Sequence, residues 1–415
     1  MDEQYSQHFA QIVSLLQSQA SVERIIDLQT HLTHAHAVPP EHGGQGEYAK
    51  ALFVEQQLQK CNVANITHLD AKDARVPEGL RPNIIAHIPG DTDQTLWLFG
   101  HLDVVDAGDL SAWASDPFVV RQDGDWLYGR GVEDNQQALT SMLLLAWALS
   151  ETGLTPKRSL GLVFMADEEN GNTFGIKHIL QEAADLFKPT DLYVVPDFGS
   201  SDAKDIEIAE KAALWLRIEV QGKQCHASTP EKGKNAFVAA AELVTHLHNR
   251  LPELYPTQDS LFTPPSSTFV PSLHETSVNA INIVPGKDVF YLDCRLLPTV
   301  SPQAVLKSVK HIVAAKAQYL GVKATVSVVL EKEACQIACD DPSIAMLSTA
   351  IKDVYQVEAV PMGLGGGTVA AELRFKGLPA LVWACLENTC HQPNERSSIT
   401  ATGRDSCVFA HLLFS

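Results

Sequence analysis

Features that mark membrane, secreted or nucleic-acid-binding proteins are missing from this sequence. It contains no run of about 18 apolar residues, the length that crosses a bilayer. Its start, Met1-Asp-Glu-Gln-Tyr, lacks the basic and apolar regions of a signal peptide. Basic residues are outnumbered, 31 Lys and Arg against 50 Asp and Glu, and a net charge of -19 is unsuited to nucleic acid or an anionic membrane. We therefore predict a cytoplasmic protein that binds neither.

Cysteines are also sparse. The eight are scattered over 415 residues, without the density of a disulfide scaffold. Cys335 and Cys339 lack a second cluster with zinc-finger spacing. Cys390, beside His391, is interpreted as a packed side chain rather than a thiolate nucleophile. We expect reduced and mostly buried thiols.

The apolar pattern changes twice along the chain, and its length favours more than one domain. Strands alternate with helices over residues 1–211 and again over 331–415, which predicts a mostly parallel sheet flanked by helices. Residues 212–330 instead predict the order β-α-β-β-α-β of a ferredoxin-like unit. The predicted fold class is therefore α/β, with an inserted ferredoxin-like α+β domain.

Three local predictions are specific enough to compare with a structure. Residues 8–35 are predicted to form two helices broken near Ser21. The proline-rich piece 252–271 is predicted to be a loop. Residues 276–297 are predicted to form two strands joined by a turn at Pro285-Gly286.

The chemistry is concentrated at Gly100-His-Leu-Asp103, which ends the apolar run that begins at Thr95. Open α/β sheets carry their sites at the carboxyl ends of strands. Because His101 and Asp103 alternate with one residue between them, both side chains face the same way. The carboxylate is predicted to hold one ring nitrogen while the other binds a metal. A structural hydrogen bond alone is the simpler alternative for an isolated His and Asp.

Four further ligand-type residues follow predicted strands or turns. Together with His101, the candidates are Asp134, Glu169, Asp197 and His391. Two Zn²⁺ ions carry four positive charges, which three carboxylates and one bridging hydroxide would balance. If Asp134 and the hydroxide bridge the ions, each zinc is four-coordinate, as zinc prefers. Glu168 is left over beside Glu169, where it is suited to act as general base.

These residues resemble a known family, the co-catalytic di-zinc amidohydrolases and metallopeptidases. That family includes aminoacylase, acetylornithine deacetylase, succinyl-diaminopimelate desuccinylase, glutamate carboxypeptidase and carnosine-type dipeptidases. The resemblance covers nearly the whole chain. It rests on the segments Gly100-His-Leu-Asp-Val-Val, Trp113 with Asp116-Pro-Phe, Leu127-Tyr-Gly-Arg-Gly-x-x-Asp-Asn135, Asp167-Glu-Glu, His226-Ala-Ser-x-Pro with Asn235-Ala, Asp293-x-Arg295 and His391-Gln-Pro-Asn-Glu.

The resemblance implies a zinc-exopeptidase-like fold and a role for each motif residue. His101 and Asp197 would share one zinc, Glu169 and His391 the other, and Asp134 would bridge. Glu168 would be the general base and Asp103 the orienter of His101. The resemblance also implies a cis peptide between Asp134 and Asn135.

The inserted domain carries the remaining implied roles. It would be a lid and would form a homodimer, from which His226 reaches the neighbouring subunit's site to polarise the scissile carbonyl. Candidate substrate-binding residues are Arg295, Asn282, Gly367 and Thr368. Arg295 suits a carboxylate clamp, and a buried ion pair is its alternative.

Two positions depart from the family pattern. Gln136 stands where lysine commonly follows the Asp-Asn pair, and Val369 where aspartate often follows Gly-Gly-Thr. Both departures spare the ligand set and bear on the substrate pocket. Asp197, rather than glutamate, favours the peptidase members over the deacylases.

The predicted function is hydrolysis of an amide bond in a small peptide by a zinc-dependent exopeptidase of dipeptidase type, with Co²⁺ or Mn²⁺ as substitute metals. An N-acyl-amino-acid deacylase shares the water activation and differs only in what binds the substrate's ends. A metal-free binding or assembly protein is a third reading, opposed by the filled ligand positions. A nucleotide site at Gly363–Gly367 fails because the glycine spacing does not match a phosphate loop.

Overall fold

A computed structural model describes residues 3–415, so Met1 and Asp2, on which the signal-peptide prediction partly rests, lie outside it. The helices are α1 (Glu3–Leu16), α2 (Gln19–His34), α3 (Tyr48–Lys60), α4 (Gln136–Thr152), α5 (Ile176–Glu182), α6 (Ala236–Leu254), α7 (Pro302–Leu320), α8 (Pro342–Tyr355), α9 (Ala370–Phe375) and α10 (Ile399–Phe414). Over residues 3–415, none of these helices is long and apolar enough to cross a membrane.

Several strands have only two or three residues, and the longest strands lie between residues 212 and 332. They are β1 (Asn65–His68), β2 (Ala71–Lys72), β3 (Leu80–Arg81), β4 (Ile84–Ile88), β5 (Thr95–His101), β6 (Arg121–Asp123), β7 (Trp126–Tyr128), β8 (Ser159–Met165), β9 (Leu192–Gly199), β10 (Asp205–Glu210), β11 (Ala212–Gln221), β12 (Cys225–His226), β13 (Thr268–Thr276), β14 (Ile283–Val284), β15 (Lys287–Leu296), β16 (Lys323–Lys332), β17 (Cys335–Gln336), β18 (Val360–Leu364), β19 (Ala380–Ala384) and β20 (Arg396–Ser398).

The chain divides into two compact units, and the second interrupts the first in sequence. Among the described residues, the first unit comprises 3–208, Ile337–Pro361 and Thr368–Ser415, and the second comprises Ala209–Gln336 with Met362–Gly367. A short return segment of the chain therefore belongs to the second unit, in addition to the continuous stretch predicted from the sequence.

The first unit is built on a mixed sheet, which confirms the α/β class. Its strands follow the order β1-β4-β8-β5-β9-β19-β10. The central strands β8, β5, β9 and β19 are parallel, whereas β1, β4 and β10 pair antiparallel with their neighbours. The parallel arrangement is thus confined to the middle of the sheet, and the carboxyl ends of β5, β8 and β9 meet there.

Both faces of β5 are covered, which explains its continuous apolar run. Trp97 and Phe99 pack in a core cluster with residues of α5 and α9. On the opposite face, a Cβ at Gly100 would approach Leu139 of α4 to 2.8 Å, so the strand and helix are in close contact. Every residue of β5 is buried, including His101 at its end.

The second unit has the predicted split βαβ arrangement. Its sheet order is β13-β15-β11-β16, and each neighbouring pair is antiparallel. Helices α6 and α7 contribute buried residues such as Leu243 and Val309 to a core shared with Leu216 and Phe290 of the sheet. The lid and dimerisation roles of this unit remain predictions.

Three local predictions were right about the elements and wrong about where they begin, end or pair. The first two helices are separated at Ser18, whose side chain accepts a hydrogen bond from the Ser21 main-chain N–H, so Ser18 rather than Ser21 is the cap. The predicted loop 252–271 ends early, because β13 begins at Thr268 and runs through Pro271. Residues after Thr276 do not form the first strand of a hairpin; β13 pairs with β15 instead, and β14 pairs with β12.

Candidate metal centre

His101 is buried at the carboxyl end of β5 with one ring nitrogen facing carboxylates. Its Nε2 lies 2.8 Å from Asp134 Oδ1 and 3.5 Å from Asp197 Oδ1. Its Nδ1 lies 3.0 Å from the main-chain oxygen of Asp103 and 3.6 Å from that residue's carboxylate. The predicted orienting contact is therefore made chiefly by the Asp103 carbonyl, which also leaves Nε2 as the ligand nitrogen.

Asp134 lies between the two candidate histidines. Its Oδ1 faces His101, and its Oδ2 lies 3.1 Å from His391 Nε2. The peptide bond between Asp134 and Asn135 is cis, as the resemblance implied. The Asn135 side chain then donates to Asp197 Oδ1 at 2.6 Å and to the Pro196 carbonyl at 3.0 Å. Asp134 thus lies between the two candidate ligand histidines, and Asn135 ties its segment to β9.

Glu169 and His391 complete a second group around Asp134. Glu169 Oε1 lies 3.0 Å from His391 Nε2. Glu169 follows β8, and its main-chain N–H donates to Asp103 Oδ2 at 3.0 Å, while that of Glu168 donates to Oδ1 at 3.1 Å. The Asp103 carboxylate therefore holds the turn that carries Glu168 and Glu169, a role that sequence reasoning missed.

Two overlapping sets of three ligand atoms result. The sets are His101, Asp134 and Asp197, and Asp134, Glu169 and His391, and the ligand atoms of each set lie within 4.8 Å of one another. The five residues predicted as ligands are therefore brought together, with Asp134 common to both sets. Imidazole nitrogens and carboxylate oxygens are ligands that zinc accepts.

The charge balance of the cluster also fits divalent cations. Burial raises the pKa of Asp197 and of Glu169, in each case aided by the nearby Asp134 carboxylate. Burial would lower the pKa of His101, but the carboxylates of Asp103, Asp134 and Asp197 outweigh it and raise that pKa well above the usual value. Within residues 3–415, these ligand carboxylates form ion pairs with histidines and with no Lys or Arg. Cations would supply the missing positive charge.

Glu168 belongs to neither ligand set although it adjoins both. Burial, then the charge of Asp197, raises the pKa of Glu168 well above its ordinary value. A carboxylate beside a metal site is placed to accept a proton from water and to pass it on. The arrangement suits the general-base role predicted from the sequence.

A buried arginine lies beneath the turn that precedes Glu168. Arg81 is fully buried; its Nε donates to Glu47 Oε2 at 2.7 Å, and a second guanidinium nitrogen also bonds Glu47. Asp73 and Asp167 lie 3.5 Å and 3.7 Å from the same guanidinium. The positive charge of Arg81 thus offsets the negative charges of these buried carboxylates.

Comparison with known proteins decides the family. The model of peptidase family M20/M25/M40 matches residues 97–415. The chain belongs to this family. An uncharacterized metallohydrolase of Methanocaldococcus jannaschii is 37% identical over 407 residues, covering 94% of this chain and 99% of that protein. A succinyl-diaminopimelate desuccinylase of Phenylobacterium zucineum is 26% identical over 327 residues, covering 78% and 84%. The protein is accordingly a hydrolase, and its ligand set points to a metal.

Solved structures of M20 peptidases share the fold. Human carnosine dipeptidase 1 superposes with a TM-score of 0.77 at 15% identity, covering 98% of both chains. A tripeptidase from Staphylococcus aureus gives 0.76 at 18% identity, covering 94% of this chain and 97% of that one. At such identities the likeness establishes the fold and leaves the substrate open.

The two departures from the M20 pattern are both buried. Gln136 is 1% exposed, and its side-chain oxygen accepts a hydrogen bond from Thr33 at 2.7 Å. Val369 is also 1% exposed and packs in the core cluster with Leu373. Both side chains thus have buried partners within the first unit, and their bearing on the substrate pocket remains a prediction.

His226 and Asn282 are neighbours in the second unit. His226 lies in β12, opposite Ile283 of β14, and the Ala227 N–H donates to the Asn282 carbonyl at 2.9 Å. The ring of His226 is exposed, and its Nδ1 accepts a hydrogen bond from the Ser228 main-chain N–H at 3.1 Å. The Ser228 hydroxyl lies 2.7 Å from the same nitrogen, so Ser228 engages the ring through Nδ1.

The other candidate substrate residues have local partners. Arg295 pairs with Asp293 at 2.8 Å and donates to the Gly365 carbonyl at 3.0 Å, so it forms an ion pair, but a partly exposed one rather than the buried pair of the alternative. A Cβ at Gly367 would lie 3.2 Å from Glu210 Oε2. Thr368 Oγ1 accepts from the Ala370 N–H at 3.1 Å, at the start of α9. Their contact with a substrate remains a prediction.

Proposed function

We propose that the protein is a two-zinc exopeptidase of dipeptidase type, which hydrolyses the amide bond of a small peptide. The observation that carries this proposal is the pair of ligand sets that share Asp134, with Glu168 beside them and outside both. Asp134 would belong to both ions, His101 and Asp197 to one, and Glu169 and His391 to the other. Co²⁺ or Mn²⁺ would be able to substitute.

The chain's own residues would move the proton. Two divalent ions bound at these ligands would supply Lewis acidity, which lowers the pKa of water and polarises the substrate carbonyl. Glu168 would accept the proton of the attacking water at a carboxylate oxygen and then deliver it to the leaving nitrogen. Asp103 would keep Glu168 and Glu169 in register through the two main-chain N–H groups that it binds.

His226 would complete the site from a second copy of the chain, in a homodimer formed through residues 212–330. Ser228 engages its Nδ1, so Nε2 would be the ring nitrogen that donates to the developing oxyanion. The exposed position of its ring in the second unit is compatible with that role. The edge strands of the second unit's sheet, β13 and β16, are able to pair with their copies in another chain.

A deacylase of N-acyl amino acids is the second candidate, favoured by the similarity to succinyl-diaminopimelate desuccinylases. A panel of dipeptides and N-acyl amino acids, assayed with apoprotein reloaded with Zn²⁺, Co²⁺ or Mn²⁺, separates the two. We expect metal-dependent dipeptide hydrolysis with the higher kcat/KM. A higher kcat/KM for N-acyl amino acids would assign the deacylase function. Failure to bind metal would favour a binding or assembly protein instead.

A further inference from the structure

Two buried glutamates outside the ligand sets link the segment before Asp134 to the segment around His391. Glu395 Oε1 accepts from the N–H groups of Glu133 and Asp134 at 2.9 Å and 3.0 Å, and its Oε2 accepts from the Gly131 N–H at 2.9 Å. Arg130 compensates its charge at 2.5 Å. The segment after His391 thus holds the segment that carries Asp134.

The second glutamate makes the reverse connection. Glu133 Oε1 accepts from the Asn388 N–H at 2.8 Å, and its Oε2 accepts from the Thr389 N–H at 2.5 Å and the Thr389 hydroxyl at 2.7 Å. Each segment therefore contributes one carboxylate to the main chain of the other. We call these contacts of Glu133 and Glu395 the carboxylate brace.

The ligand next to this brace, His391, lies outside the sheet and is partly exposed. His391 lies between β19 and β20, in a stretch without helix or strand. Its side chain is 51% exposed and its φ is +61°, in the left-handed region. By contrast, His101 and Asp197 lie within strands of the central sheet, and Asn135 ties the Asp134 segment to Asp197. The two ligand sets thus differ in what holds them.

We propose that Glu133 and Glu395 are positioning residues with different ranges of action. Glu133 holds the 388–389 turn that leads to His391, so it controls the ion bound by Asp134, Glu169 and His391. Glu395 holds Asp134 itself, which is common to both sets, so it controls both ions. This inference rests on the proposed two-metal function and adds which side chains govern the affinity of each ion.

Substitution by glutamine tests the idea because it preserves shape. A carboxylate only accepts hydrogen bonds, whereas the glutamine amide nitrogen only donates. In Glu133→Gln an NH₂ group must face at least one donor of the 388–389 turn, which displaces that turn. Changing a residue that supports a metal ligand typically weakens metal affinity by about 10–100-fold.

The measurement is stepwise Zn²⁺ binding to full-length apoprotein, in competition with a chromophoric chelator. We expect two constants for the wild type. Glu133→Gln should retain one constant within about threefold and weaken the other by about 10–100-fold, while Glu395→Gln should weaken both. Glu169→Gln removes a ligand of the second set only and so identifies the constant that belongs to it.

Glu387→Gln is the matched control. Glu387 belongs to the same segment but pairs with Arg396 at 2.8 Å, so its substitution should leave both constants unchanged. If Glu133→Gln fails to fold, Thr389→Val removes one donor to Glu133 and should weaken the same ion to a smaller extent. The inference is overturned if Glu133→Gln, or Thr389→Val used in its place, leaves both constants unchanged or weakens both equally. Such a result would leave the proposed function untouched. A wild type that binds fewer than two zinc ions would overturn the proposed function as well.

Discussion

Replacing Glu168 by glutamine is the most direct test of the catalytic assignment. The amide cannot accept a proton from water, and a positioned general base contributes about 10²–10⁴-fold to rate. At about 1.4 kcal/mol per factor of ten, this corresponds to roughly 3–6 kcal/mol of transition-state stabilisation. The metal ligands should be unaffected, because Glu168 lies outside both ligand sets and contacts Asp103 through its main-chain N–H.

The adjacent Glu169→Gln variant provides the contrast. It makes the same chemical change one residue further along, but Glu169 is a member of the second ligand set. We expect Glu168→Gln to lose turnover with zinc content retained, and Glu169→Gln to lose zinc. The assay is kcat on the best substrate of the panel together with zinc per chain by mass spectrometry. Glu168→Gln activity within tenfold of wild type, or zinc loss equal to that of Glu169→Gln, would refute the assignment.

Three further predictions concern stability and assembly. Arg81→Met should lower the free energy of unfolding by about 3–5 kcal/mol, because Glu47 becomes a buried uncompensated charge; unchanged urea unfolding would contradict this. Burial raises the pKa of Asp405 from 3.8 to about 7, so the folded chain binds more protons and its unfolding free energy should fall as pH rises through that window. Asp405→Asn should flatten this slope for apoprotein in chelator, and an identical slope would exclude the group. His226→Ala should lose about 10²-fold in turnover, and mixing it with Glu168→Gln should restore activity in heterodimers; verified heterodimers without activity would exclude a shared site.

The candidate ligands could be predicted because each follows a recognisable strand or turn. His101 ends an apolar run, and Asp197 lies near the end of another, so sheet geometry alone brings them together. Glu133 carried no such signal, and Glu395 was noted only as the last residue of the motif His391-Gln-Pro-Asn-Glu, without a role. They are buried carboxylates whose partners are main-chain N–H groups some 260 residues away along the chain. Nothing in periodicity reports contacts of that kind.

Errors in the fold have equally local causes. Ser18 and Ser21 are both acceptable helix caps, and only packing of the two helices decides between them. Pro271 argued against a strand because proline cannot donate to a ladder. The structure accommodates it with an irregular register between Pro271 and His274, on a strand at the edge of the sheet. On an edge strand, proline can stand where its missing N–H costs no hydrogen bond to a neighbouring strand. The sequence does not show which strand lies at an edge.

The place of β19 in the sheet has a consequence for how the protein forms. β19 lies between β9 and β10, yet the complete stretch 209–336 precedes it in the chain. During synthesis the second unit, whose strands and helices are close in sequence, can therefore collapse first. Until β19 arrives, β9 and β10 expose unpaired edges, which are sites of mispairing between nascent chains. Pairing of β19 with β9 and β10 is thus a slow, non-local step. The ligand cluster at the carboxyl ends of the central strands can form only after it.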